Sequence, residues 1–421
     1  MPDTRSDPAA REGVLAKETA LYIYTSGTTG MPKAARITHA RALGLMKSFI
    51  APSNITARDR VYLTLPLYHA TGGMCGAGAA LFSGATIILR RKFSATHFWA
   101  EATAERATVF VYIGELCRYL VNLPPSPQET QHSLRTCFGN GLRPDVWTRF
   151  TQRTGIKRIV EFYGSTEGNV SMANLDHRPG SVGAIPRFMR NRFPMRIIRF
   201  DVEAEAPVRG PDGLCIEAAP GEAGEAVGEI RSDEARFRFE GYSDPAQTEK
   251  KVLRNVFAEG DMWFRTGDLM MQDADTYFYF VDRIGDTFRW KGENVSTNEV
   301  AEVLTGDPAV PFANVYGVQI PAADGRAGMA ALVVNEGFDL ASLHTRIQRE
   351  LPAYARPLFI RIQSDVDATG TLKLKKVELV REGYDLNRIT DAVYFNNPEV
   401  NGFTALTPEI VLRLERGELR V

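Results

Sequence analysis

The chain has 421 residues, with 50 Lys and Arg against 51 Asp and Glu, a formal net charge of −1, 44% hydrophobic residues and 24% charged ones. This is globular composition, long enough for about two to four domains, and it excludes both a largely disordered chain and a polycation built to hold nucleic acid. The apolar runs are too short for a bilayer-spanning helix, the opening residues lack the apolar core of a secretory leader, and Cys75, Cys117, Cys137 and Cys215 show no paired spacing, so a cytoplasmic protein is expected.

In chain order, short β-branched or aromatic runs at 21–24, 60–65, 85–89, 108–113, 134–138 and 158–162 read as strands. Helical patterns at 38–49, 72–82, 95–106 and 145–154 lie between them. This alternation predicts an α/β fold, a parallel sheet with flanking helices. The small-residue run within 72–84 suits a helix packed closely against a sheet. From about 180 the texture changes to short strands at 196–201, 213–218 and 227–232 between Pro/Gly turns, a small β-rich subdomain reaching about 281. Past 285 a smaller α+β C-terminal domain is predicted, with helices at 296–304 and 340–350 and strands at 314–320 and 329–334. The division expected is therefore 1–284, 285–385 and a tail at 386–421, with a hinge between the first two.

The segment 24–33 follows a strand and precedes a helix. It places four hydroxyls, Thr25, Ser26, Thr28 and Thr29, among Gly27, Gly30 and Pro32, ahead of Lys33. Such a loop can turn several N–H and O–H donors on a phosphate chain while the lysine adds a point charge. It is not a Walker A loop, because Lys33 follows Gly30 by three positions. The ten residues resemble the phosphate loop of the adenylate-forming superfamily, which includes the acyl- and aryl-CoA synthetases, luciferases and peptide-synthetase adenylation domains.

Further stretches resemble the same superfamily in the same order. Leu65-Pro66-Leu67-Tyr68-His69 matches a block whose histidine lines the acyl site. Gly139-Asn140-Gly141-Leu142-Arg143 matches the turn along one face of adenine. In Glu161-Phe162-Tyr163-Gly164-Ser165-Thr166-Glu167 the resemblance implies that Tyr163 stacks on adenine beside Gly164, Thr166 contacts phosphate and Glu167 carries Mg²⁺. Thr266-Gly267-Asp268 and Asp282-Arg283 match the ribose contacts, so Asp268 and Arg283 are assigned to the sugar. The hinge position is Gly285, where many relatives carry Asp or Lys. Trp290-Lys291-Gly292-Glu293-Asn294 resembles the turn that brings Gly292 to pantetheine. Thr369-Gly370-Thr371-Leu372-Lys373 resembles the block with the catalytic lysine, Lys373. Leu372 stands where most branches have glycine. That substitution, with the run from Asp282 to Val300, is similar to the fatty-acid transport and very-long-chain acyl-CoA synthetase branch.

The resemblance implies a ligase that uses ATP, Mg²⁺ and coenzyme A to activate a long- or very-long-chain fatty acid, with Lys33, Glu167 and Lys373 serving the chemistry. It also implies peripheral membrane contact, no nucleic-acid partner and no particular oligomeric state. Relatives carry a substantial segment before the phosphate loop, against about twenty residues here, so an unpaired strand edge and exposed apolar surface are expected. Two alternatives stay open: a catalytically impaired chain that binds nucleotide or a partner, and a lipid-uptake protein that couples fatty-acid trapping to acylation.

Overall fold

The computed structural model describes residues 9, 12–25, 33–231, 234, 237–321, 325–365 and 376–419. Strands β1 (Thr19–Thr25) and β2 (Lys33–Thr38) pair antiparallel in a hairpin of their own. The 21–24 run is thus a strand but not a member of the parallel sheet, because residues 33–38 fold back on it. Helix α1 (His39–Lys47) begins at Thr38, whose Oγ1 accepts the Arg41 N–H at 3.3 Å, a serine/threonine-type cap.

The main sheet holds β3 (Arg60–Leu63), β4 (Thr86–Leu89), β5 (Val109–Ile113), β6 (Thr136–Asn140), β7 (Arg158–Gly164) and β8 (Ser171–Ala173) in the order β4-β3-β5-β6-β7-β8. All neighbours are parallel except β7 and β8. Helices α2 (Ala79–Ser83), α3 (Phe98–Ala104), α4 (Gly114–Asn122) and α5 (Pro144–Thr154) accompany it. Phe98, Phe110, Phe138 and Phe150 are fully buried in its core, and the inner strands read as near-continuous apolar runs because both faces are covered. The outer strand is β4; Leu89 on it and Leu81 and Phe82 of α2, which packs against it, are exposed.

The glycine-rich stretch expected as a helix over 72–82 is wound differently. A π-helical segment, Ala70–Gly78, runs into the short α2. Close approach explains the composition: a Cβ at Gly72 would lie 2.4 Å from Pro66 O, and one at Gly73 2.1 Å from Leu67 O. The segment therefore rests directly on the backbone that leaves β3, and on its other side Gly78 touches Met46 of α1.

The second sheet is antiparallel, built from β9 (Ser181–Ala184), β10 (Met195–Asp201), β11 (Ala206–Pro207), β12 (Ala223–Glu229), β13 (Val252–Arg254), β14 (Met262–Gln272) and β15 (Tyr277–Arg283). Its order is β11-β10-β12-β14-β15-β9, with β13 also on β14, and the short helix α6 (Pro245–Glu249) precedes β13. The expected strand at 213–218 is only a pair of isolated bridges, Arg209 to Cys215 and Ile198 to Glu217. The long β14–β15 pair, absent from the sequence reading, supplies the sheet's centre.

In the C-terminal part, β16 (Phe288–Trp290) and β17 (Glu293–Val295) form a hairpin closed by Lys291 and Gly292, both at positive φ, the two-residue turn whose twist matches its strands. Helix α7 (Thr297–Thr305) leads into a sheet of β18 (Phe312–Gln319), β19 (Arg326–Val333), β20 (Phe359–Gln363), β21 (Ala392–Asn397) and β22 (Gly402–Ala405), with α8 (Leu340–Glu350), α9 (Val377–Glu382) and α10 (Pro408–Glu415) around it. The last two strands and α10 come from the stretch expected as a tail, and Val393, Phe395, Leu406 and Leu414 lie in the same core as Val315 and Phe359. No helix among the described residues is long and apolar enough to cross a membrane.

Gly73→Ala should destabilise the chain by about 1–3 kcal/mol, because the new methyl overlaps a backbone carbonyl that cannot rotate away. Thermal unfolding measures it, and an unchanged transition would show that the segment does not lie on residues 65–67 as described.

Candidate functional site

The site is built where the parallel strands end, the edge at which open α/β sheets present their crevice. After β6 comes the turn 139–143, and after β7 the segment 163–168. Glu161 organises both. Its Oε2 accepts the Tyr112 hydroxyl at 2.5 Å and its Oε1 the Leu142 N–H at 3.1 Å, so the strand that carries Tyr163 also fixes the neighbouring turn. Burial pushes the Glu161 carboxyl up to about 8 and raises the Tyr112 phenol as well, so near neutral pH the pair keeps its protons. In this turn Asn140 has a buried Oδ1 with no hydrogen-bond partner among the described residues.

Two tyrosines then join this edge to the second sheet. The Tyr163 hydroxyl donates to Asp268 Oδ2 at 2.5 Å, and the Tyr242 hydroxyl to Glu167 Oε1 at 2.7 Å. Burial, reinforced by the adjacent carboxylates, raises both phenols and keeps them as donors. Asp268 faces Arg283 directly across the β14–β15 ladder. Thr266 Oγ1 donates to Ala226 O at 2.7 Å and accepts the Asp268 N–H at 3.1 Å, which sets the turn.

Cations surround these carboxylates. Lys33 Nζ lies 5.8 Å from the centre of the Tyr242 ring. The half-buried Lys251 donates to Thr266 O at 3.0 Å; burial lowers its pKa, while Glu167 and Asp268 pull the other way. Arg41, on α1, grips the loop itself: its Nε reaches Thr166 O at 2.8 Å, and its Nη2 reaches Ser165 O at 3.1 Å and Gly168 O at 2.5 Å. Three carbonyls thereby fix the backbone on either side of Glu167.

The structure thus brings together Lys33, Thr166, Glu167, Tyr163, Asp268 and Arg283, with Gly139 and Asn140 on the adjacent strand end. Thr25 precedes the stretch expected to bind phosphate, its Oγ1 donating to Lys33 O at 3.3 Å. Ser26, Gly27, Thr28, Thr29 and Gly30, and Lys373, lie outside the described residues. His69 caps the π-helical segment, its Nδ1 accepting the Thr71 N–H at 3.4 Å. Gly292 sits at the exposed tip of its hairpin. Gly285 has open space where a Cβ would stand and no positive φ, so this backbone does not itself require glycine there. Lys376, three positions beyond Lys373, is held at the joint: its Nζ lies 3.1 Å from Asp286 Oδ2 and 2.9 Å from Thr297 Oγ1.

Arg41, Tyr242, Lys251 and the Tyr112–Glu161 pair escape sequence reasoning. Tyr242 and Glu167 are 75 positions apart and Arg41 and Thr166 are 125 apart. The one local clue is a charged residue set in the apolar stretch of α1.

The sequence profile of the AMP-binding enzymes matches residues 2–225, and that of the AMP-binding enzyme C-terminal domain matches 299–373. The chain belongs to the AMP-binding enzyme family. Among curated members, long-chain fatty acid transport protein 3 of Mus musculus is 44% identical over 407 residues, 96% of this chain and 60% of the relative. Long-chain fatty acid transport protein 5 of Homo sapiens is 43% identical over 98% of this chain and 59% of its own length. The chain therefore spans about 60% of the length of these relatives. Solved structures share the fold: ATP-bound MatB from Rhodopseudomonas palustris has a TM-score of 0.72 at 23% identity, covering 88% of this chain and 69% of that one. O-succinylbenzoate coenzyme A synthetase from Bacillus subtilis, in complex with ATP and magnesium ion, has 0.66 at 23%, covering 87% and 71%. In this AMP-binding family member, the blocks at 139–143, 161–167, 266–268 and 282–283 lie together.

Two measurements check the local geometry. Since Glu161 binds its proton more tightly folded than unfolded, stability should fall as pH rises from about 4.5 to about 8; Glu161→Gln should flatten that slope in denaturant titrations across this range. Arg41→Ala should speed amide hydrogen exchange in 164–170 while leaving the C-terminal sheet unchanged; equal exchange in both proteins would mean that the guanidinium does not hold the loop.

Proposed function

We propose that the chain is an ATP-dependent, AMP-forming acyl-CoA ligase for long- or very-long-chain fatty acids. One observation carries the reading: Glu167, in the loop after β7, and Asp268, on β14 of the second sheet, are held by tyrosine hydroxyls at one strand-end crevice beside Lys33. The fatty acid transport names of the 44% and 43% identical relatives support the acyl class.

The residues present fit a nucleotide and a divalent cation. Asn140 Oδ1 is a buried acceptor without a partner among the described residues, suited to an exocyclic amine of adenine. Asp268 and Arg283, side by side, suit the ribose hydroxyls. No three His, Cys, Asp or Glu among the described residues form a metal cage. A cation on Glu167 would therefore complete its shell with phosphate and water oxygens, as Mg²⁺ does at nucleotide sites. Bound there, Mg²⁺ would offset charge on the phosphates.

In the first step a fatty-acid carboxylate oxygen bonds to the α-phosphorus of ATP and the bond to pyrophosphate breaks. Two anions meet, so fixed donors and cations must stabilise the transition state. The hydroxyls and amides of Thr25 to Gly30, with Lys33, would hold the phosphates; Thr166 and Lys373 would contact the reacting group. Tyr163 would stack on adenine between Gly164 and the Gly139–Asn140 turn. In the second step the sulfur of coenzyme A bonds to the acyl carbon and AMP leaves. Rotation about Gly285 would withdraw Lys373 and bring Gly292 to the pantetheine, while His69 lines the acyl channel. Peripheral contact with a membrane would supply the acid, and the transport names of the relatives favour lipid uptake as the second reading.

Fatty-acid-dependent exchange of pyrophosphate into ATP by the purified chain is the expected result. Lys373→Ala should reduce that exchange by about 100-fold or more while leaving transfer from preformed acyl-AMP to coenzyme A measurable. ATP binding without exchange for any fatty acid would replace the ligase with a nucleotide-binding chain.

A further inference from the structure

Between Asp176 and Asp201 the chain carries six arginines, Arg178, Arg187, Arg190, Arg192, Arg196 and Arg199, and no Asp or Glu, in a molecule of net charge −1. The centre of this stretch is the connection from β9 to β10, a single 3₁₀ turn at Arg187–Met189 with residues 186–188 and 190–193 exposed. Phe188 is 86% exposed, the most exposed of the large apolar side chains described. Some of the charge is committed: Arg178 pairs with Asp273 at 3.2 Å, Arg199 with Glu222 at 2.9 Å and Arg190 with Glu217 at 2.5 Å, and Arg196 lies 4.0 Å from the same Glu217. Arg187 and Arg192 make no hydrogen bond or ion pair among the described residues. The tip is therefore an uncovered aromatic ring flanked by two unneutralised guanidinium groups, with two more sharing one carboxylate behind it.

We infer that residues 186–193 dock this protein on an anionic phospholipid surface, the phenyl ring of Phe188 entering the acyl boundary and Arg187 and Arg192 meeting headgroup phosphates. The chemistry favours a bilayer over an acidic protein or a nucleic acid. A ring projecting from a turn buries its area in a fluid interface without a preformed pocket, where aromatic side chains settle beside cations. The cations are local rather than spread over a basic molecule, as short-range attraction to a charged leaflet requires. The loop is also tied to the site: Glu229 N–H donates to Pro194 O at 2.9 Å, and Asn169 Nδ2, two residues beyond Glu167, donates to Glu229 O at 2.7 Å. This surface deepens the lipid-handling reading and rests on it for its purpose. Vesicle binding and pyrophosphate exchange are separate assays, so either can fail alone.

The experiment is sedimentation of the full chain with vesicles of phosphatidylcholine alone and with about one-third phosphatidylserine. The chain should bind the anionic vesicles, less so as salt rises, and not the neutral ones. The double variant Arg187→Glu with Arg192→Glu should bind at least about tenfold more weakly, with its circular dichroism unchanged. In a Phe188→Trp variant, lipid should shift the difference emission spectrum against wild type to the blue. Absence of binding to anionic vesicles, equal binding by the double variant, or a bound Phe188→Trp protein whose difference spectrum does not move would each overturn the assignment. Binding of an acidic protein lost in the double variant, without vesicle binding, would give the surface to that class of partner instead.

Discussion

Two phenol hydroxyls that donate to carboxylates, Tyr163 to Asp268 across the junction of the two sheets and Tyr242 to Glu167 in the loop after β7, are the interactions on which the site depends. Tyr163 belongs to the last parallel strand of the first sheet and Asp268 to the central strand of the second; Tyr242 approaches Glu167 from beside the β1–β2 hairpin, where it bridges to Ala35. Around them the two sheets also share an apolar core, in which Val170 and Met172 pack with Val182, Phe264 and Met270. The bonds also ease an electrostatic conflict. Glu167 and Asp268 are acids in partly dry surroundings, and a donated proton on each, with Lys251 and Arg41 behind, lowers the cost of keeping them close. Arg41 spends its guanidinium on carbonyls rather than on a carboxylate, so its positive field remains directed at the loop it holds.

What the sequence discloses follows the range of the interactions. The blocks at 24–33, 139–143, 161–167, 266–268 and 282–283 are short, and each carries its own turn chemistry, so they are visible one by one and in order. For the last four, their convergence is also foreseeable, since parallel strands end on one side and β14 meets β15 with Asp268 opposite Arg283. The long-range contacts are not legible. Nothing near Tyr242 marks it as a partner of Glu167, and Lys251 reads as one surface lysine among others. The same holds for elements. Helix α8 has a clean amphipathic period and an Asp339 cap, and falls where the pattern places it. Residues 33–38 become a strand by folding back on β1, and β14 and β15 by pairing with each other and with β12, while the glycine-rich run adopts its winding because of the backbone beneath it.

The joint between the larger and C-terminal parts shows how burial and charge are balanced. Asp282 is buried and accepts from Thr297 N–H at 2.6 Å, Thr297 Oγ1 at 2.8 Å and Asn298 Nδ2 at 3.2 Å. Burial raises its pKa, and the ammonium of Lys376 opposes that rise. Lys376 in turn bridges Asp286 and Thr297, on either side of the β16–β17 hairpin. Further out, Arg143 Nη1 donates to Thr305 Oγ1 at 3.3 Å and the Arg118 guanidinium lies 4.4 Å from the Phe312 ring. With the Tyr119 and Phe312 rings 5.3 Å apart beside them, these contacts mix aromatic and polar groups.

The most direct measurement is a crystal structure of the chain with a non-hydrolysable ATP analogue and Mg²⁺. The account predicts ribose hydroxyls on the Asp268 carboxylate, adenine between Tyr163 and the Asn140 turn, and the cation on Glu167. A nucleotide seated elsewhere, or one whose cation is held by other side chains while Glu167 keeps only its tyrosine, would contradict it.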